Sequence, residues 1–396
     1  MANTVATIVG GVVAGVVALV AVFFLLLRCL LKKKATTAAT ISTASESNSS
    51  STTSPQPGDG QQTYIESSSR GLILHGLGMH QARCFTLKEL NIATNNFTAS
   101  HLIGNGKFGQ VYKGLLPDMI VAIKKRWASP NTLFIDQVSY LSSINHRNLV
   151  SLLGYCQEND LQMLVYEYIP NGSVSGHLYG ESKNSSNILE FKHRLSIAVG
   201  AAKGLAHLHS LDPQFIHMDF KTVNVLVDEN FVPKITNVGI RNLVDQIDDS
   251  GPSARSMEDD VFLDPEVKEC GKFSKKSDVY SFGVFLLELV SGQEAIQFQF
   301  LDSGTIHQWA EIYEDSSDVS NLIDERMSKN YTEEGMQHFF QLAAWCLNRL
   351  GGMRPTMSLV VLELNRIQEK EIGMTTIMGE ATPVLTLGSH LFTSSA

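Results

Sequence analysis

Three closely spaced glycines constrain this chain more than any other feature. Ile103-Gly-Asn-Gly-Lys-Phe-Gly-Gln-Val111 sets Gly104, Gly106 and Gly109 between apolar, strand-forming residues. Glycines at that spacing let a backbone lie close over phosphate groups. The same pattern opens dinucleotide-binding folds, but there it runs into a helix. Here it runs into a second strand-like stretch, Val111-Tyr-Lys-Gly114, and then into Val121-Ala-Ile-Lys124. The spacing therefore predicts a glycine-tipped β-hairpin followed by a strand that carries a lysine.

The surroundings agree. From about Leu102 to Tyr168, Val, Ile and Tyr alternate in short runs broken by Gly, Asn and Pro. This predicts a small, mainly β lobe with one helix inside it, Phe134–Ser143. From about Arg194 onward helical periodicity dominates, over Leu195–His209, Asp278–Ser291, Met336–Leu347 and Met357–Gln368. Ahead of the β lobe, Thr86 to Thr94 has an apolar helical face, and Thr86 and Glu89 form a capping-box pattern. The fold class expected is α+β, with a small β-rich lobe and a large helical one.

Residues 5–27 carry no charge. About 20 such residues cross a hydrocarbon core of about 30 Å. Arg28, Lys32, Lys33 and Lys34 follow, and nothing basic precedes. By the positive-inside rule this predicts one membrane span, with residues 1–4 outside and the remainder cytoplasmic. A signal peptide would instead open on basic residues and end at a small-residue cleavage site. Within 5–27, Gly11 and Gly15 have the spacing that lets two helices approach closely, so a homodimer through them is one expectation. A chance match in a Gly/Ala-rich stretch is the other.

Residues 28–84 are basic, then Ser/Thr-rich with few large apolar side chains, and cannot bury a core. Residues 369–396 are expected to form a loose tail. Charged residues make up 18% of the 396, below the roughly 25% of ordinary domains, as a long uncharged stretch requires. A net charge of −9 argues against nucleic acid as a partner. Five scattered cysteines make neither a disulfide framework nor a zinc site.

Further motifs follow in order. His217-Met-Asp219-Phe-Lys221-Thr-Val-Asn224 resembles the catalytic loop of protein kinases, and Asp264-Pro265-Glu266 the end of their activation segment. Asp278-Val-Tyr-Ser-Phe-Gly283 resembles the helix that anchors the catalytic loop, and Arg354-Pro355 the arginine that pairs with Glu266. The wording is most similar to plant receptor-like kinases of the RLK/Pelle type. It shows in Phe85-Thr-Leu-Lys-Glu-Leu90, His146-Arg-Asn-Leu-Val150, Leu152-Leu-Gly-Tyr-Cys156, Leu164-Val-Tyr-Glu-Tyr168 and Phe262-Leu-Asp-Pro-Glu266.

The resemblance covers 85–368 and implies a bilobal protein-kinase fold preceded by one transmembrane helix, at the plasma membrane. It implies ATP as cofactor. Ile103, Val111, Ala122, Tyr166 and Leu226 would line the adenine site. Gly104, Gly106, Phe108 and Gly109 would form the loop over the phosphates, and Lys124 would meet the α and β phosphates. Asp219 would accept the substrate hydroxyl proton, Lys221 would contact the γ phosphate, and Asn224 would reach a metal ion. His217 would be a packed interior residue rather than a base. The partners implied are other membrane receptor-like kinases or cytoplasmic signalling kinases.

The departures from the family pattern fall on the chemistry. Asn237-Val238-Gly239 stands where the family has Asp-Phe-Gly. Asn has the shape of Asp without its charge, and Mg²⁺ favours carboxylates, so Mg²⁺ binding is expected to be weak or absent. Gln137 stands where a Glu pairs with the lysine. It can accept a hydrogen bond from Lys124 but offers no ion pair. Asp136, one residue away, points about 100° around the helix. Met218 replaces an Arg that binds a phosphorylated activation loop, and Asp259 replaces a Thr that seats the substrate hydroxyl.

Removing one preorganised electrostatic stabiliser costs about 10²–10³ in rate. Two such losses would take a kinase turnover of about 1–100 s⁻¹ to near background. Three functions follow from these residues. The first is a pseudokinase that signals by binding. The second is a weak serine/threonine kinase that holds metal through the Asn237 amide oxygen. The third is a dimerising membrane adaptor.

Overall fold

The structure, a computed structural model, describes residues 82–180, 188–247, 260–300, 322–328 and 330–377. One layer is a six-stranded sheet. Strands β1 (Arg83–Cys84), β2 (Leu102–Asn105), β3 (Gln110–Leu115), β4 (Ile120–Trp127), β5 (Leu152–Glu158) and β6 (Leu161–Glu167) lie in the order β1-β5-β6-β4-β3-β2. The β1–β5 pair is parallel and the others are antiparallel.

Strand alternation sends neighbours in β4 to opposite faces. Val121 and Ile123 join Met163 and Val165 in a core closed by helix α1 (Leu87–Ala93) through Leu90 and Ala93. That helix opens on the predicted capping box. The Glu89 N–H donates to the Thr86 hydroxyl at 3.2 Å, and the Thr86 N–H donates to the Glu89 carboxylate at 2.7 Å. Ala122 and Lys124 face the other way, with their cross-strand partners Tyr166 and Leu164.

Helix α2 (Thr132–Ser143) packs under that second face. Asn131 caps it by accepting from the Leu133 N–H at 2.9 Å. Phe134, Val138 and Leu141 recur at helical spacing and are buried. Each such burial contributes about 1.5–3 kcal/mol.

The second lobe is helical: α3 (Val174–Tyr179), α4 (Phe191–Ser210), α5 (Ile240–Ile247), α6 (Pro265–Cys270), α7 (Lys275–Ser291), α8 (Glu333–Cys346) and α9 (Met357–Ile377). A short hairpin, β7 (Val225–Val227) with β8 (Pro233–Ile235), lies between α4 and α5. Helix α7 is buried nearly all round, as an apolar helix at the centre of a domain must be. The loop after α2 ties the lobes together. The Val150 N–H donates to Ile235 O at 2.8 Å, the Ile235 N–H to Asn148 O at 2.9 Å, and Asn148 Nδ2 to Pro233 O at 2.9 Å.

Helix α4 begins four residues before its predicted start at Leu195. Its first turn, Phe191–Arg194, holds three polar residues, and Arg194 is buried there, donating to Leu189 O at 2.6 Å, Leu289 O at 2.7 Å and Asp324 at 2.6 Å. A buried arginine with a bond from each guanidinium nitrogen is invisible to apolar periodicity. Helix α9 likewise runs past the expected end at Gln368 to Ile377.

One part of the expected fold class is corrected. Among the described residues no helix is long and apolar enough to cross a membrane. The longest, α9, carries Glu363, Arg366, Glu369, Lys370 and Glu371. The described residues form the bilobal α+β architecture. Residues 1–4 and 5–27, with Gly11 and Gly15, lie outside the described residues, as do 28–81 and 378–396.

Candidate functional site

The glycine-rich segment forms a tight hairpin between β2 and β3. The Gly106 N–H donates to Gly109 O at 2.9 Å, and the Gly109 N–H donates back to Gly106 O at 3.1 Å. Gly109 has φ +146°, and a Cβ there would lie 2.1 Å from the Lys125 carbonyl oxygen. Gly104 and Gly106 have no such constraint. A Cβ on Gly104 meets nothing within 4 Å, and one on Gly106 first meets an atom at 4.0 Å.

The hairpin tip is Lys107-Phe108. Phe108 is buried, 6.5 Å from the Phe134 ring of α2 and under the Arg126 guanidinium at 4.9 Å. Lys107 reaches across the cleft, and its Nζ lies 2.5 Å from Asp219 Oδ1.

Asp219 sits on a loop held by α7. Asp278 accepts from the His217 N–H at 2.8 Å, the Met218 N–H at 3.0 Å and His209 Nε2 at 2.8 Å. Met218 adopts φ +64°, an uncommon conformation for a side chain of its size. The Asp219 N–H donates to His217 Nδ1 at 3.3 Å, which leaves the proton on Nε2, bonded to Thr236 O at 3.0 Å. His217 is 1% exposed and both ring nitrogens are occupied, so it orders the loop. Lys221 Nζ lies 4.0 Å from Asp219 Oδ1 and 2.7 Å from Asp260 Oδ2.

Behind Asp219 runs a chain of amides. Lys124 Nζ donates to Asn237 Oδ1 in a short contact, Asn237 Nδ2 donates to Asn224 Oδ1 at 2.7 Å, and Asn224 Nδ2 donates to Asp219 O at 2.7 Å. Its direction is fixed at both ends, because an ammonium only donates and a carbonyl only accepts. Both amide oxygens are thus acceptors already. A Mg²⁺ ion needs oxygen ligands with several waters and a carboxylate or two. Here the Asn237 and Asn224 side-chain oxygens each accept an N–H, the Asp219 carboxylate is paired with Lys107, and the Asp260 carboxylate is paired with Lys221. Among the described residues no group of three or more His, Cys, Asp or Glu is placed to hold a metal ion. These residues do not fit a bound magnesium ion.

Lys124 is 9% exposed. Burial pushes its ammonium down to about 8, against an opposing pull from the Asp219 charge. The ammonium also lies 5.0 Å from the centre of the Tyr166 ring. The Tyr166 hydroxyl is buried without a hydrogen-bond partner, and burial raises its pKa. Val111, Ala122 and Leu226 are half-buried and Ile103 is 48% exposed, so the apolar positions expected around adenine remain reachable from solvent. In the sheet, Val111 pairs with Lys124 and Ala122 with Tyr166.

Two expected pairings are replaced. Gln137 is half-buried on α2, but Lys124 bonds Asn237 instead, which offers an oxygen on the cleft side. Asp136 is exposed. Arg354 does not pair with Glu266. It grips Asp264 through both terminal nitrogens at 2.7 and 2.8 Å, with both residues buried. Asp264 is the N-cap of α6 and points inward, whereas Glu266 accepts the Gly351 N–H at 2.8 Å.

Asp259 lies outside the described residues, and its neighbour Asp260 is the acid on Lys221. Asp260 and Lys107 are the site residues that the sequence patterns passed over. Lys107 occupies a variable position of the glycine motif, and Asp260 is one of three consecutive acids. A charge at a hairpin tip and an acid run near Lys221 were the available signals.

The model of the protein tyrosine and serine/threonine kinase family matches residues 97–364, more than half of the chain. The Arabidopsis thaliana serine/threonine-protein kinase CDG1 is 37% identical over 319 residues, 78% of this chain and 73% of that one. The Arabidopsis protein described as "Probable serine/threonine-protein kinase PBL23" is 36% identical over 315 residues, 77% of this chain and 82% of that one. Among solved structures, the pseudokinase domain of BIR2, an immune regulator of the RLK/Pelle family, matches with a TM-score of 0.60 and 29% identity. That match covers 72% of this chain and 86% of the other. The ordered motifs, the bilobal fold and these matches together place the chain in the protein-kinase family, among the plant receptor-like kinases of the RLK/Pelle type.

Proposed function

We propose that this protein is a pseudokinase, a kinase-fold module that acts in signalling by binding rather than by phosphate transfer. The observation that carries the proposal is the amide chain from Lys124 through Asn237 to Asn224. Phosphoryl transfer depends on charge neutralisation by metal ions bridging the phosphates. In this chain the residues that would hold them bond one another. The Lys107–Asp219 contact adds to this, because the carboxylate that would accept a hydroxyl proton is paired with an ammonium.

Its partners on this proposal are other kinases, membrane receptor-like or cytoplasmic, and their activity would be altered by contact with the folded domain. Nucleotide or partner binding would shift the population of one cleft conformation. A weak serine/threonine kinase is the second reading. It draws on the names of the relatives and on the retained Asp219, Lys221 and Asn224.

Phosphate transfer from labelled ATP to a general substrate separates the two. The full chain should transfer no more than its Asp219→Ala variant. Transfer above that variant would defeat the pseudokinase reading.

A further inference from the structure

We infer that Lys107, on the glycine-rich hairpin, supplies the positive charge that a divalent cation supplies in a metal-dependent kinase cleft. The cleft then takes a nucleoside polyphosphate as the free anion rather than as its magnesium chelate. This rests on the pseudokinase reading and names the ligand form of the same site.

Three ammonium groups line one cleft, two of them on the same carboxylate. Lys107 Nζ is 2.5 Å and Lys221 Nζ 4.0 Å from Asp219 Oδ1. Lys124 connects to the Asp219 backbone through the amides of Asn237 and Asn224. Asp260 is the second acid of the group, on Lys221. Three lysines against two aspartates leave an excess of positive charge. With Asp at 237, Glu at 137 and no lysine at 107, acids would outnumber bases, and an anionic ligand would need metal ions to enter. The amides at 237 and 137 remove two negative charges and Lys107 contributes a positive one at the same cleft, which reverses that balance.

Geometry lets Lys107 change partners. Its side chain is 46% exposed, and a pair so open to water is held weakly. The backbone beneath it is fixed by Gly109 and by the buried ring of Phe108. The four-carbon stem can therefore swing the ammonium from Asp219 to a phosphate while the hairpin stays in place. Lys124 already faces the cleft from β4. The two amide oxygens that might have recruited a metal each already accept one N–H, and neither carries a charge.

The test is the thermal stability of the full chain with ATP, adenosine or inorganic tripolyphosphate, in EDTA and then in excess Mg²⁺. A ligand that binds the native state raises the melting midpoint by mass action. ATP in EDTA should raise it at least as much as ATP with Mg²⁺, and adenosine should raise it less. Lys107→Ala should weaken ATP binding in EDTA by roughly tenfold or more, the scale of one charge-assisted hydrogen bond, and Lys107→Arg should restore it. Circular dichroism confirms that each variant is folded.

A shift that requires Mg²⁺, an Ala variant that binds like the parent, or no shift with ATP in EDTA would each overturn the inference. A shift that requires Mg²⁺ would also remove the amide chain as support for the pseudokinase reading, but that reading itself fails only if phosphate transfer depends on Asp219.

Discussion

Asn237 Nδ2 donates to Asn224 Oδ1 at 2.7 Å, a bond that an aspartate at position 237 could not make. A carboxylate there would set two acceptor oxygens face to face, and a cation would be needed between them. The amide thus does by hydrogen bonding what a metal does by coordination in a carboxylate site.

Asn237→Asp should therefore create a metal dependence that the parent lacks. Two oxygens facing each other beside the Lys124 ammonium form the start of a hard-ion site. The melting midpoint of the variant should rise with millimolar Mg²⁺ and that of the parent should not. At a concentration ten times its Kd, the ion would add about 1.4 kcal/mol. Equal responses in the two proteins would show that the amide is not what keeps metal out.

Gly109 and Gly104 of the hairpin should behave differently. Gly109→Ala places a Cβ against the Lys125 carbonyl oxygen, at a φ that side chains rarely adopt. It should cost on the order of 1–3 kcal/mol by urea unfolding. Gly104→Ala meets nothing and should change stability by less than about 0.5 kcal/mol. A comparable loss at both positions would mean that the hairpin geometry is not what requires Gly109.

Arg354 and Asp264 form a bidentate, fully buried pair. Arg354→Ala leaves a buried carboxylate unpaired and should cost about 3–5 kcal/mol. Replacing both, as Arg354→Met with Asp264→Asn, should cost less than the single change, because no charge is then stranded. Chemical denaturation of the single and double variants measures this directly. A double variant as unstable as the single one would show that shape, not charge, matters at this corner.

The kinase frame was legible in the sequence because it is written in local signals. The glycine hairpin, the capping box of Thr86 and Glu89, and the Asn237 and Gln137 substitutions all sit at fixed offsets from apolar runs. Partner choice was not legible. Lys124 and Asn237 are 113 positions apart, and nothing local says that the lysine leaves Gln137 for that amide. Arg354 choosing Asp264 over Glu266 follows from α6, whose N-cap turns Asp264 inward. Lys107 meets Asp219 across 112 positions, a contact set by hairpin closure rather than by any motif.

The depressed Lys124 ammonium gives a pH dependence with a definite sign. Its pKa is about 8 in the folded protein, against 10.5 for the group ordinarily, so between those values the unfolded chain binds more protons than the folded one. Stability from this residue therefore rises with pH from about 8 to 10.5 and is flat below 8, where both states are protonated. The full span corresponds to roughly 3 kcal/mol. Other groups titrate in the same window, so the difference between the parent and Lys124→Met is the useful quantity. In urea unfolding from pH 7 to pH 10.5, the parent should gain stability relative to that variant only above about pH 8. A difference that stays constant, or moves the other way, would mean that Lys124 is not held as a buried ammonium.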